Sequence, residues 1–253
     1  MARMPPKRCD ALLVLAAPRS GSSWFASMMR NTGCLGNCRE WLSSLVDSNA
    51  KSIFATPPYG IQQRDAFMSA LRAAATSPNG VWSLKITGHM LDSLPAILAR
   101  WGLGDGDGDG WLPELMGSAA VLHLRRRDRI GSAISWWRAT HNGQFARLAS
   151  DESPALGWPT YDLPSLRRAL TDVDQFDHRV TRAAATLRTA GLAVLEGAYE
   201  DALHEPASFL RTFAGLAQID IASAVIKTSE LLLQRDDTTE EIRARLIADL
   251  AVC

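Results

Sequence analysis

The chain of 253 residues is short of several things, and each shortage closes a class of function. It has no net charge, with 27 basic and 27 acidic residues, so it carries no general field for nucleic acid or another polyanion. Lysine is scarce: 4 of the 27 basic residues, against 23 arginines. Planar, forked recognition of oxyanions is therefore favoured wherever basic charge clusters. The four cysteines, Cys9, Cys34, Cys38 and Cys253, have neither metal-ligand spacing nor the density of a disulfide framework, and read as reduced thiols. No apolar run approaches the roughly 20 residues of a membrane span. Arg3, Lys7 and Arg8 before an apolar run imitate a secretion signal. That run is short and enters a Pro-Arg-Ser-Gly turn, so a cytoplasmic protein is expected.

What is present suits one α/β domain over residues 1–253, with an apolar fraction of 47% that allows a sizeable core. The organising stretch is Leu12 to Trp24. A strand-like apolar run meets Pro18 and the small-residue turn Arg19-Ser20-Gly21-Ser22-Ser23. A helical pattern follows, with Phe25, Met28, Met29 and Thr32 at i, i+3, i+4 and i+7. Such a turn forms an anion cradle, because the first N–H groups of a helix have no partner within it and its dipole favours negative charge there. Gly21 permits close approach, the serines donate, and Arg19 offers a charge-assisted fork. This is not the phosphate loop of nucleotide hydrolases: Ala16 stands where its first glycine should be, and no lysine precedes Ser22. A magnesium-dependent kinase or NTPase is disfavoured but stays as an alternative.

Thr32-Gly33 reads as a helix stop, and Gly36 to Leu42 as a loop entering a helix. Residues 47–60, with Pro57-Pro58, form a connection, and Gln62 to Ala75 is helical. Val81 to Ile86 is a strand whose far end carries Lys85 and, beyond Gly88, His89. Asp105, Asp107 and Asp109 in the run Gly104–Gly110 imitate a calcium loop. The required twelfth-position glutamate is Met116 and Pro113 interrupts, so a flexible acidic surface loop is expected. Ala119 to Leu124 is a strand containing His123, read as a core histidine. Asp128 to Thr140 is helical. Leu163 to Ala190 is a long helical stretch, in one piece or two, stopped by Gly191. Leu192 to Leu195 is a strand, Glu205 to Leu216 a helix, and Thr238 to Val252 an amphipathic tail. Strands alternating with helices predict a parallel sheet with right-handed crossovers.

A second anion site is expected after the third strand, where Arg125-Arg126-Arg127 precedes Ser135 by eight residues from Arg127. Strand C-termini share one rim of a parallel sheet, and ligands bind there. Two oxyanion sites on that rim imply a ligand with two separated anionic groups.

Pro18-Arg-Ser-Gly-Ser-Ser-Trp24 resembles the 5′-phosphosulfate loop of sulfotransferases, and Arg127 with Ser135 resembles their 3′-phosphate pair. Within that superfamily the chain is similar to the bacterial Stf0 type. The signs are Thr32-Gly33 followed by Gly36-x-x-x-Glu40-Trp41, then Arg125-Arg-Arg-Asp128 through Ala133-Ile-Ser-Trp-Trp-Arg-Ala139, and Gly143-Gln144. Tyr199-Glu200-Asp201 and Leu233-Gln234-Arg235 resemble the family's closing elements.

The resemblance implies a P-loop-like sulfotransferase fold with helical segments on the acceptor side. It implies 3′-phosphoadenosine 5′-phosphosulfate (PAPS) as sulfuryl donor, no metal, a small-molecule hydroxyl acceptor such as a carbohydrate or natural product, and room for a homodimer. Arg19, Ser20, Gly21, Ser22 and Ser23 would hold the phosphosulfate. Trp24 would lie beside the adenine, and Arg127 and Ser135 would hold the 3′-phosphate. Glu40 would be the catalytic base, with Cys38 where the family has proline two residues earlier. Lys85 is a candidate assistant on the sulfonate, and His89 the rival base. Trp41, Trp136, Trp137, His141 and Trp158 are candidate flat faces for an acceptor. A non-catalytic PAPS-binding protein is the remaining alternative.

Overall fold

The computed structural model describes residues 9–46, 64–145, 157–227, 229–231 and 236–251. The connection at 47–60, the start of the helix read from Gln62, Leu233-Gln234-Arg235, Val252 and Cys253 lie outside them.

Four parallel strands form the sheet, β1 (Ala11–Ala16), β2 (Trp82–Thr87), β3 (Ala120–Arg125) and β4 (Ala193–Ala198), in the order β2-β1-β3-β4. The helices are α1 (Ser22–Asn31), α2 (Ser43–Val46), α3 (Arg64–Ala75), α4 (Leu94–Leu98), α5 (Trp111–Met116), α6 (Arg129–Asn142), α7 (Leu163–Thr189), α8 (Tyr199–His204), α9 (Pro206–Leu216) and α10 (Asp237–Ala251). All four expected strands are present. The stretch expected from 163 to 190 is one unbroken helix.

Why β1 reads as a continuous apolar run follows from its place. Every residue of it is buried, because helices cover both faces of the sheet. Ala11, Leu13 and Leu15 pack with α3, α4, α5 and the second half of α7, through Phe67, Leu94, Trp111 and Val180. Leu12, Val14 and Ala16 turn the other way, onto Phe25 and Met29 of α1 and Phe213 of α9. A third cluster joins Ile134 and Trp137 of α6 to Leu166 and Val173 of α7 and Leu246 of α10.

This topology positions the site. The chain leaves β1 for β2 on one side and later reaches β3 on the other, so the C-terminal ends of β1 and β3 flank the point where strand order reverses. The cradle turn follows β1, and the triple arginine follows β3. On β2, Lys85 pairs in register with Val14 and Thr87 with Ala16. The two-residue period sends both side chains to the face that α1 covers.

Two local findings refine the expectations. Asp109 is not solvated with the rest of its acidic loop: its carboxylate is buried and accepts a hydrogen bond from Arg182 Nε of α7 at 2.8 Å. His123 is buried in β3, its Nδ1 lying 2.7 Å from Glu196 Oε2. Burial pushes its pKa down against the pull of that carboxylate.

Candidate active site

The cradle is built by backbone geometry. Arg19 and Gly21 both have positive φ, 65° and 81°, and the chain turns there from β1 into α1. At Gly21 a side chain has no room, since a Cβ would lie 2.1 Å from Cδ2 of Tyr199. Gly21 is also the N-cap of α1 and supplies no capping side chain, so the helix start keeps donors for a ligand. Ser20 is buried, and its hydroxyl donates to the carbonyl of Ala17 at 2.7 Å; it holds the turn closed. Ser22 is buried and Ser23 exposed. The ring of Trp24 meets that of Tyr199 edge to face, centroids 6.0 Å apart. Sequence reasoning placed Tyr199 only in a closing motif; here it forms a wall of the cradle.

Arg19 lies across the mouth between the two expected anion sites. Its Nε donates to Ser135 Oγ at 2.8 Å, and its Nη1 donates to the carbonyl of Phe145. Burial, then repulsion from Arg126 and Arg138, lowers its pKa to about 10, a strain that an anionic ligand would relieve. Ser135 therefore joins Arg19 rather than Arg127. Arg127 is exposed and forked onto Asp201, with Nη1–Oδ1 2.7 Å and Nη2–Oδ2 2.5 Å. Its backbone N–H, and that of Asp128, donate to Glu200. The arginine that reaches the cradle is Arg126. Its Nη1 donates to the Arg19 carbonyl at 3.1 Å, and its guanidinium lies 5.5 Å from the centroid of the Tyr199 ring. Arg126 Nε is buried with no hydrogen-bond partner among the described residues. A run of three identical residues gives no signal as to which one turns inward.

On the other side of β1 stands a carboxylate linked to the cradle by a lysine. The loop bearing Glu40 is pinned to β2 through main-chain bridging of Arg39 with Leu84, in which Lys85 N donates to Arg39 O at 2.9 Å. Arg30 Nη1 donates to Cys38 O at 2.7 Å from behind. Cys38 is buried, and burial pushes its thiol up to about 11. The loop is held by these bonds without the proline. Lys85 is buried; its Nζ donates to Ser23 Oγ at 2.7 Å and lies 3.3 Å from Glu40 Oε1. Thr87, also buried, donates to the same Oε1 at 3.0 Å, and its oxygen is 3.0 Å from Nδ1 of exposed His89. Burial alone would raise the Glu40 carboxyl; Lys85, His89 and the Thr87 hydroxyl outweigh it and hold the pKa below its ordinary value.

Of the candidate flat faces, Trp41 and Trp137 are core, and the Nδ1 of His141 lies 2.9 Å from the Trp137 carbonyl. Trp158 stacks with Arg138, and its Nε1 donates to Asp236 at 3.0 Å. Trp136 is joined to the site through two other rings. It meets Phe145 at 6.0 Å and Phe176 at 5.3 Å between centroids, and Phe176 meets His89 at 6.5 Å. Phe145 and Phe176 carried no signal in the sequence.

A four-stranded parallel sheet flanked by helices, with the turn after β1 and the loop after β3 meeting at its switch point, is of one class, the sulfotransferase fold. The sulfotransferase domain of the Synechococcus PCC 7002 olefin synthase has this fold, with a TM-score of 0.52 at 14% identity over 98% of each chain. The Stf0 sulphotransferase family model matches residues 11–209, and the chain belongs to that family. It is 29% identical over 150 residues to the trehalose 2-sulfotransferase of Mycobacterium tuberculosis (strain ATCC 35801 / TMC 107 / Erdman), covering 50% of this chain and 55% of the relative. Similarity to the trehalose 2-sulfotransferase of Mycolicibacterium smegmatis is also 29%, over 153 residues, 51% of this chain and 56% of the relative. The chain spans about half the length of these curated relatives. Among the described residues no helix is long and apolar enough to cross a membrane.

Proposed function

We propose that the chain moves a sulfuryl group from PAPS to a hydroxyl of a small molecule, a carbohydrate or natural product, with Glu40 as the general base. The observation that carries this reading is Lys85, whose ammonium bridges Ser23 of the cradle and the carboxylate of Glu40. A base and an anion cradle joined by one buried cation are what transfer from a phosphate leaving group to an alcohol requires. The oxygen nucleophile must lie in line with the leaving group and lose its proton as the new bond forms.

The residues fit the donor. The start of α1 with Ser22 and Ser23 would receive a phosphosulfate, and Arg19 and Arg126, whose Nε has no partner among the described residues, would bring positive charge to it. Trp24 and Tyr199 supply flat faces suited to adenine. Arg127 would exchange the carboxylate of Asp201 for the 3′-phosphate, and Ser135 would give up Arg19 to bond the same phosphate. The donor supplies the transferable sulfuryl group, and the chain does the rest. Glu40 takes the acceptor proton; Lys85 orients Glu40 and Ser23; Arg19 and the helix N-terminus stabilise charge growing on the departing phosphate.

Trehalose, which the relatives are named for, is the first acceptor to try, with Trp136, Phe145 and Phe176 as a wall for a sugar face. The test is transfer of ³⁵S from PAPS in metal-free buffer by the wild type and Glu40→Gln. Glutamine keeps the shape but accepts no proton, so turnover should fall roughly 10²–10⁴-fold while donor binding stays. A variant that keeps most of its turnover would remove Glu40 from the role and make His89 the next residue to replace.

A further inference from the structure

Resting on that assignment of the base, we infer that Thr87 and His89 carry the proton away from Glu40, so that the rival bases are two ends of one relay. The Thr87 hydroxyl donates to Glu40 Oε1 at 3.0 Å, and its oxygen lies 3.0 Å from His89 Nδ1, which donates to it or accepts from it according to the imidazole tautomer. Thr87 is buried at the end of β2, Glu40 is partly buried with its side chain 31% exposed, and His89 is exposed. The three form a path from the base to solvent. Lys85 and Thr87 both approach Oε1, and among the described residues Oε2 accepts no hydrogen bond, which leaves that oxygen for the acceptor hydroxyl.

A relay answers a problem that the site creates. An acceptor seated on Oε2 covers that route to water, and the ammonium of Lys85 disfavours a proton that stays on Glu40. In the step, the carboxyl of protonated Glu40 turns about its Cγ–Cδ bond so that the O–H formed at Oε2 faces Thr87; that bond breaks and the proton bonds to Thr87 Oγ1. The original hydroxyl proton of Thr87 passes to the bare Nδ1 of a neutral His89. Glu40 is a carboxylate again, Thr87 is unchanged, and His89 carries the positive charge until the exposed ring turns and gives its Nδ1 proton to water, which restores the bare Nδ1. The imidazole is held for this by the 3₁₀ turn Gly88–Met90 and by the edge of Phe176. Gly88 is what lets α7 come so close, since a Cβ there would lie 2.7 Å from the Phe176 carbonyl oxygen.

Thr87 and His89 are thus positioning residues, and their test needs a readout that structural support would not move. Bisphosphate release from PAPS is followed with trehalose and, in parallel, with water as the only nucleophile, so that a rate is read with either. Thr87→Val and His89→Ala should lower kcat about 10- to 100-fold, the lower part of the range for a positioned proton acceptor. The Kd for 3′-phosphoadenosine 5′-phosphate should not change. Thr87→Ser restores the hydroxyl and should recover most of the rate, and added imidazole should rescue His89→Ala. Wild-type rates in Thr87→Val and His89→Ala, with Glu40→Gln inactive, would overturn the relay and leave the base standing. A slow His89→Ala that imidazole does not rescue would also overturn it. An active Glu40→Gln would remove the base and the relay together.

Discussion

Replacing Asp128 by asparagine tests whether the loop after β3 is held by charge or by shape. Asp128 caps α6, its Oδ1 accepting from Gly131 N at 2.9 Å. It also receives a two-pronged bond from Arg243 of α10, at 2.8 and 2.6 Å, and lies 3.3 Å from Arg126. Asparagine keeps one oxygen for the cap but no charge for the fork. The pair is largely shielded, with side chains 23% and 20% exposed, so the loss falls within the usual range for charge-assisted bonds, about 2–3 kcal/mol. For a chain of this size that is roughly 5–10 °C in Tm. Burial would raise the Asp128 carboxyl, but Arg243, the Gly131 N–H and Arg126 outweigh it and hold the pKa far below the ordinary aspartate value of about 3.9. The folded state therefore binds this proton less readily than the unfolded chain. The stabilisation is complete above about pH 4 and is lost as pH falls toward the folded pKa. Denaturant unfolding of wild type and Asp128→Asn should show the full gap at pH 7 and a smaller one at pH 3. A gap of equal size at both values would show that shape, not charge, holds the loop.

Other expectations follow from the same geometry. Lys85→Met removes the ammonium that lowers the Glu40 pKa and leaves the burial that raises it, so the acid limb of the kcat profile should move to higher pH. An unmoved limb would separate Lys85 from the base. Arg127→Ala should weaken binding of 3′-phosphoadenosine 5′-phosphate roughly tenfold or more and barely change that of adenosine 5′-phosphosulfate, both read by calorimetry. Equal losses would place Arg127 at the other end of the nucleotide or in folding.

Much of the scaffold was legible because its causes are local. Leu12 to Leu15 is apolar on both faces as a central strand must be, and Thr32-Gly33 ends α1 as read, with Thr32 Oγ1 donating to the Met29 carbonyl at 2.6 Å. The helices α4 and α5 were not legible. They are 5 and 6 residues long, too short to show a period, and lie in a stretch broken by glycine and proline. At the site, residue types were readable and their partners were not. Arg19 and Ser135 are 116 positions apart, and their bond depends on a positive φ at an arginine. The eight-residue spacing to Ser135 singled out Arg127, whereas the guanidinium that reaches the cradle is that of Arg126, because Glu200 and Asp201 hold Arg127 outside it. Thr87 gave no sign at all, since a threonine ending a strand is ordinary until a carboxylate and an imidazole meet on it.

The central proposal is that the cradle holds a 3′,5′-bisphosphate nucleotide, and thermal stabilisation by ligand tests it directly. A ligand that binds only the folded state at a hundredfold excess over its Kd stabilises it by about 2.7 kcal/mol, several degrees for this chain. The bisphosphate 3′-phosphoadenosine 5′-phosphate should give that shift without metal, and ATP with or without Mg²⁺ should give little. A large Mg²⁺-dependent shift with ATP and none with the bisphosphate would contradict the sulfotransferase reading and point to a kinase.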